Sequence, residues 1–342
     1  MPQHAPRKAR LPIALASLAA GAALYSTALA QPAGAPVPGT LPQQWRSQSP
    51  PCMEIPEWQV HEYNPRLFIL RQSPCANYEK PFIFLFFGAD RALLLDTGAA
   101  KGSLGPSLRR TVTQWLARNG RRSIPLVVVH THAHGDHVAG DGDVQALNEP
   151  AMPVTLVAAE LEATKRFYGI TSWPADIGHV DLGGRVLDVI PIPGHSAVSV
   201  ALYDRETGIL FSGDSLYPGR LYVADVAAFQ ASTLRMIRFT ADKPVAHVLG
   251  NHIEQTATPF RDYPLGTIFQ PDEHALPLSR GALLELADAL ASMQQTPRRV
   301  LLRDFSIWPT ALVTPAETER AKAYIDEQRR NMWNPAPRPR PQ

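Results

Sequence analysis

With 342 residues, 45% of them hydrophobic and 19% charged, the chain can bury a large core, which excludes a disordered or low-complexity protein. The formal charge is only +2, and no continuous basic stretch carries interleaved aromatics, so a nucleic-acid partner has no support. After the first thirty residues no segment is apolar for long enough to span a bilayer.

The chain opens with Arg7, Lys8 and Arg10, an apolar run from Leu11 to Leu24, and Ala28-Leu29-Ala30 before Gln31. A positive segment, a short apolar segment and a small-x-small site make a secretory signal peptide over residues 1–30. An uncleaved anchor is the alternative, but the run is shorter than the roughly 20 residues a spanning helix needs. Cleavage removes three basic side chains and leaves 30 Lys and Arg against 31 Asp and Glu. The expected location is the periplasm or outside the cell, with no membrane span in the mature chain. Residues 31–55 read as a Pro-rich linker, with six prolines at 32, 36, 38, 42, 50 and 51.

Cys52 and Cys75 follow. In an exported chain an even count favours a bridge over two buried thiols, and such a bridge would contribute on the order of 3 kcal/mol. Phe82–Phe87, the turn 88–91 and Ala92–Asp96 read as a hairpin of buried strands. Leu108, Val112, Trp115 and Leu116 recur at helical spacing over 104–119, and Gly120 supplies a stop. A strand over 124–129 leads into a histidine cluster. Further strands are expected over 154–157, 186–192, 198–203, 209–212 and 245–249, with helices near 158–167, 226–240, 280–293 and 315–330. The proportion implies α/β layers with helices covering sheets. The Pro-rich segment 333–342 reads as a disordered tail.

The chemistry is concentrated in Thr131-His132-Ala133-His134-Gly135-Asp136-His137. Beyond a strand the backbone is extended, so His132 and His134 point the same way and can converge on one ion. Gly135 permits a sharp turn that lets Asp136 and His137 address a second ion. His195 in Pro193-Gly194-His195, Asp214 in Ser212-Gly213-Asp214 and His252 in Gly250-Asn251-His252 each end a strand-like run. Imidazole and carboxylate without thiolate suit zinc, and manganese, iron or cobalt also accept them. His130 reads as a core or supporting residue, and His61, His179, His247 and His274 have no ligand-like neighbours. Phe167, Tyr168, Trp173, Tyr217 and Tyr222 are aromatic candidates for pocket walls, each equally at home in the core.

These motifs, in this order, together with Leu94-Leu95-Asp96-Thr97-Gly98, resemble the metallo-β-lactamase superfamily over about residues 60–255. The resemblance implies an αββα sandwich of two mixed β-sheets flanked by helices, here over 56–332 with a C-terminal helical extension. It implies that His132, His134 and His195 hold a first zinc, that Asp136, His137 and His252 hold a second, and that Asp214 bridges them. Asp96 would orient a ligand histidine by accepting its other N–H; otherwise it is a strand-end aspartate starting a turn. The implied reaction is attack by metal-activated hydroxide on an ester, lactone, thioester or lactam bond of a small molecule, with Asp136 and Asp214 also able to carry a proton.

Asp at 214 and the short intervals between motifs resemble lactonases and thioesterases. Asp214-Ser215-Leu216 also resembles β-lactamases of the third metallo subclass. A glutathione thioesterase is disfavoured, since its basic C-terminal binding residues have no clear match. Iron-dependent oxidoreductases share this fold, although di-iron members place a carboxylate where His134 stands. A non-catalytic binding module is disfavoured by the completeness of the ligand set.

Overall fold

A computed structural model of the chain describes Met1, residues 35–47, Cys52, residues 55–293 and residues 296–332. The chain divides into Met1–Ala35 and Pro36–Gln342. Of the first unit only Met1 and Ala35 are described, so the signal peptide expected over 1–30 lies outside the described residues, as do parts of the linker and the tail 333–342.

The first sheet has six strands, spatially ordered as in the chain: β1 (Trp58–Asn64), β2 (Leu67–Gln72), β3 (Phe82–Phe87), β4 (Ala92–Leu95), β5 (Leu126–Val129) and β6 (Val154–Leu156). The first four are antiparallel neighbours, while β4, β5 and β6 run parallel. Antiparallel neighbours need only a tight turn, but a parallel pair needs a crossover. Helix α1 (Leu104–Arg118) is that crossover between β4 and β5.

After β5 come the short helices α2 (Gly135–Val138) and α3 (Asp141–Gln145), and after β6 comes α4 (Leu161–Tyr168). The second sheet is an antiparallel meander of β7 (Gly178–Asp181), β8 (Val186–Pro191), β9 (Val200–Asp204) and β10 (Ile209–Gly213). β11 (Arg220–Val223) leaves it, α5 (Val226–Phe239) crosses its outer face, and β12 (His247–Gly250) returns to pair parallel with β10. Beyond α6 (Arg280–Ala291), β13 (Val300–Leu301) and β14 (Ser306–Pro309) join β11 in a small third sheet. Helix α7 (Pro315–Met332) closes the described chain.

β3 is apolar at every position because both of its faces are covered. Phe84 and Phe86 point between the sheets, where Phe211 of β10 meets them with ring centroids 4.6 and 5.0 Å away. Phe87 points outward and stacks on Trp115 of α1 at 4.2 Å. On the far side, Phe229 and Met236 of α5 and Leu283 and Leu286 of α6 cover Ile190, Leu210 and Val248. The four layers are helix, sheet, sheet, helix: the αββα sandwich. Each such buried phenylalanine contributes about 1.5–3 kcal/mol, and Phe84→Ala would cost roughly 3–5 kcal/mol.

Two local expectations are corrected. Asp96 does not extend β4 but leaves it with φ +67°, in the left-handed region. Gly135 does not begin a sharp turn; it is the first residue of α2. The loop after β4 captures that helix, with Thr97 N–H donating to His137 O at 2.8 Å and Ala139 N–H to Gly98 O at 3.1 Å. Cys52 and Cys75 are joined, S–S 2.00 Å. The bridge sits with Ile268, Ile325 and Met332 in a small cluster that ties the loop before β3 to α7. Among the described residues no helix is long and apolar enough to cross a membrane.

Candidate metal centre

Five strand ends of the two sheets, those of β4, β5, β8, β10 and β12, meet at one edge of the sandwich. Because β4 and β5 run parallel, with Leu95 opposite Val129, the residues that leave them emerge side by side. Asp96 lies there, fully buried, and accepts four donors. Thr131 N–H reaches Oδ1 at 2.7 Å. Thr131 Oγ1, Asn251 Nδ2 and His137 Nδ1 reach Oδ2 at 2.9, 2.7 and 3.0 Å. β10 delivers Asp214 after Gly213, whose φ of +55° and close approach to the Thr131 side chain, 3.1 Å from a built Cβ, favour glycine. Gly194 is more constrained still, because a Cβ there would stand 2.4 Å from the Phe229 backbone of α5.

The structure brings all seven predicted ligand residues together, in two groups. In the first, His132 Nε2, His134 Nδ1 and His195 Nε2 form a triangle with sides of 3.0, 3.1 and 3.0 Å. In the second, Asp136 Oδ2 lies 3.3 Å from His137 Nε2 and 3.2 Å from His252 Nε2. Asp214 stands between the groups. Its Oδ1 is 3.4 Å from His252, and its Oδ2 is 3.5 Å from His137, 3.6 Å from His195 and 3.9 Å from His132.

The ring nitrogens facing away from the groups are held. His195 Nδ1 donates to Tyr222 O at 2.7 Å, His252 Nδ1 to Glu79 O at 3.1 Å, and His137 Nδ1 to Asp96. Each of these rings is thereby turned so that its Nε2 faces the centre. His137 Nε2 and Asp214 Oδ1 are buried without a hydrogen-bond partner, and buried polar atoms are not left so without reason.

Electrostatics divides the groups. Burial, with neighbouring imidazoles, pushes His132 and His195 below the usual histidine range. Burial opposes charge on His137 and His252 as well, yet the surrounding carboxylates hold both well above it. Burial would also raise Asp136 and Asp214, but His137 and His252 hold them well below the usual carboxylate range. The second group thus holds protons where a cation would stand, while the first gathers three ring nitrogens around one point. Both features fit divalent cations. Tetrahedral zinc, about 2.0–2.1 Å from each nitrogen, spaces its ligands about 3.3 Å apart, close to the triangle found.

His130 is not among the groups; its Nε2 pairs with Asp141 Oδ1 at 2.9 Å, beside the Thr97 hydroxyl. His61, His179, His247 and His274 lie outside as well. A cavity of about 500 Å³ opens in front of the centre, with Tyr217 and Tyr222 in its walls. Phe167, Tyr168 and Trp173 pack into the inter-sheet core instead. Leu265, Val313, Ala321 and Ile325 form an apolar roof. Sequence reasoning missed the roof, Asn251 and Glu79. Only Asn251, adjacent to His252, carried any local signal. Burial and the charge of Asp136 push the Glu79 carboxyl up to about 7.

The profile of the Metallo-beta-lactamase superfamily matches residues 80–292, more than half of the chain and a span that contains all seven ligand candidates. The acyl-coenzyme A thioesterase MBLAC2 of Gallus gallus is 28% identical over 234 residues, 58% of this chain and 82% of that protein. The hydroxyacylglutathione hydrolase of Aeromonas hydrophila is 28% identical over 210 residues, 60% of this chain and 72% of that protein. Among solved structures, a metallo-beta-lactamase from Pontibacter korlensis is 19% identical with a TM-score of 0.46, over 68% of this chain and 99% of that one. The chain belongs to the metallo-beta-lactamase superfamily, and it is a hydrolase.

Proposed function

We propose that the chain is an exported hydrolase that holds two zinc ions and cleaves an ester or thioester bond of a small molecule, with lactones and lactams as related targets. The position of Asp214 carries this reading: one carboxylate stands 3.6 Å from His195 of the first group and 3.4 Å from His252 of the second. When bound, a pair of divalent ions lowers the pKa of water toward about 7 and offsets the charge that develops on a carbonyl oxygen.

The chain's own residues supply orientation, proton transfer and shelter. The carbonyls of Tyr222 and Glu79 and the carboxylate of Asp96 fix three imidazole rings, so the ligand geometry is set before substrate arrives. Asp136 and Asp214, both on the cavity wall, are the carboxylates that would take up the proton released by the attacking water and return it to the leaving group. The apolar roof keeps bulk water away from the acyl portion. The names of the relatives above, an acyl-coenzyme A thioesterase and a hydroxyacylglutathione hydrolase, favour an acyl thioester over a lactam. Export is supported by the N-terminal charge pattern and by a disulfide that belongs in an oxidising compartment.

The test is to purify the mature chain, count its metals by emission spectrometry, and assay thioesters, esters, lactones, β-lactams and phosphoesters in one panel. Two zinc ions with thioester or ester turnover are expected. Iron accompanied by oxygen consumption would overturn the hydrolytic reading, and turnover confined to β-lactams would overturn the substrate.

A further inference from the structure

The cavity contains a carboxylate that neither ligand group uses. Glu79 lies on the loop between β2 and β3, which the disulfide anchors through Cys75. Its backbone carbonyl receives His252 Nδ1 at 3.1 Å, while its side chain lines the cavity. That side chain accepts a hydrogen bond from the Tyr78 hydroxyl at 3.0 Å. Among the described residues, no lysine or arginine pairs with it.

Other carboxylates withdrawn from water are matched. Glu273 pairs with Arg71, Asp204 with Arg185 and Asp188 with Arg205, each at 2.6 Å. Glu254, on the wall of the same cavity, pairs with Arg220 at 3.3 Å. The cations near Glu79 are engaged elsewhere. Lys80 turns away and donates to the carbonyls of Tyr78 and Thr267. Lys322, at the cavity rim, pairs with Glu319 at 2.9 Å. A carboxylate withdrawn from water is costly unless a cation or several donors meet it, and this one lines a cavity that is open to a ligand.

We propose that Glu79 is the specificity-determining residue of this site: it binds the ammonium group of an amino-substituted acyl substrate and turns away substrates that carry a carboxylate. The inference rests on the hydrolase reading and narrows its substrate class. Since the carbonyl of the same residue holds His252, an ammonium bound by Glu79 lies close to the reacting end of the substrate. Leu265, Val313, Ala321 and Ile325 then cover the hydrocarbon part. A like charge in that position meets the Glu79 carboxylate, so discrimination comes from repulsion as well as attraction.

The experiment uses the metal-loaded mature chain and three acyl thioesters of matched shape, bearing an ammonium, a methyl or a carboxylate group. Turnover is measured beside equilibrium binding, by calorimetry, of the ketones in which a methylene replaces the sulfur. The ammonium compound is expected to exceed the carboxylate compound by about 10-fold or more in kcat/KM and in binding. Glu79→Gln should shrink that ratio in both measurements, and Glu79→Asp should restore part of it. A uniform loss on all three compounds would make Glu79 a positioning residue acting through His252, and would overturn the proposal. So would a wild-type chain that does not distinguish the charges. Charge-dependent binding without turnover of any thioester would sink the thioester reading while leaving Glu79 its role; turnover without charge preference would do the reverse. Absence of both would sink both.

Discussion

The two ligand groups occupy one strand-end edge of the sandwich, yet they are built from opposite chemistry. His132, His134 and His195 offer nitrogen alone, whereas Asp136, His137, Asp214 and His252 set two carboxylates against two imidazoles. In the first group, burial keeps His132 and His195 neutral, and a cation can bind without displacing a proton there. In the second, carboxylates hold His137 and His252 in the protonated range, so a cation must expel protons to enter. One protein edge thus presents a ready-made nitrogen site and a charge-balanced site whose occupancy depends on pH. Asp214, shared between them, couples the two.

The sharpest way to break this comparison is to remove the shared residue. Under the proposed assignment Asp214→Ala loses both metals, while His132→Ala loses one and keeps the fold; turnover in each falls by about 10³-fold or more, some 4 kcal/mol. Metal counts and kcat/KM on the purified variants check this, and unchanged turnover in His132→Ala would refute the assignment.

The next effect concerns the wall beside the second group. Replacing Cys52 and Cys75 by serine opens a bridge spanning 23 positions and is expected to cost about 3 kcal/mol of stability. Because the same loop carries the Glu79 carbonyl that holds His252, metal affinity should weaken more in the second group than in the first. Equal weakening would separate the disulfide from the site.

Asp96→Asn sharpens the contrast further. It leaves a neutral partner for His137 Nδ1, and metal affinity in the second group should drop by about 10–100-fold with the first group little altered. Competition titration with a chelating dye reads this directly; a matched loss at both groups would assign Asp96 to general folding.

The smallest predicted effect is a pH slope. In the metal-free chain, His137 and His252 have folded pKa values raised above the ordinary 6.5, so the stability they contribute is complete below pH 6.5 and is lost as pH climbs through the folded values. Metal-free protein should therefore lose up to about 1.4 kcal/mol per pH unit for each such proton, while metal-loaded protein should not. Lys80, lowered by burial to about 7, adds stability as pH rises from 7 toward 10.5. It does so in both forms and cancels in their difference. Parallel melting curves from pH 6 to 9 would expose the gap; coincident curves would remove the electrostatic account.

The middle of the first sheet was legible because its signals are local. Phe82–Phe87 and Ala92–Leu95 are apolar on both faces, and α1 repeats every three to four residues up to Gly120, which adopts φ +61°. β1 and β2 escaped notice because their polar members hide the pattern: Arg71 is fully buried only because Glu273, two hundred positions away, meets it. β11 and β14 pair Arg220 with Ser306, and no window of local sequence contains such a partner.

The same division runs through the candidate site. Residue type and the small residues at strand ends singled out the seven metal-ligand candidates, and the resemblance to the family added Asp96. Only the tertiary structure decided which ring Asp96 touches, that a backbone carbonyl of Glu79 holds His252, and that α7 roofs the cavity. Periodicity and motif spacing record which groups a chain has to offer. Distances between groups remote in sequence arise when two sheets and their helices pack, and there the electrostatics and the shape of the cavity are determined.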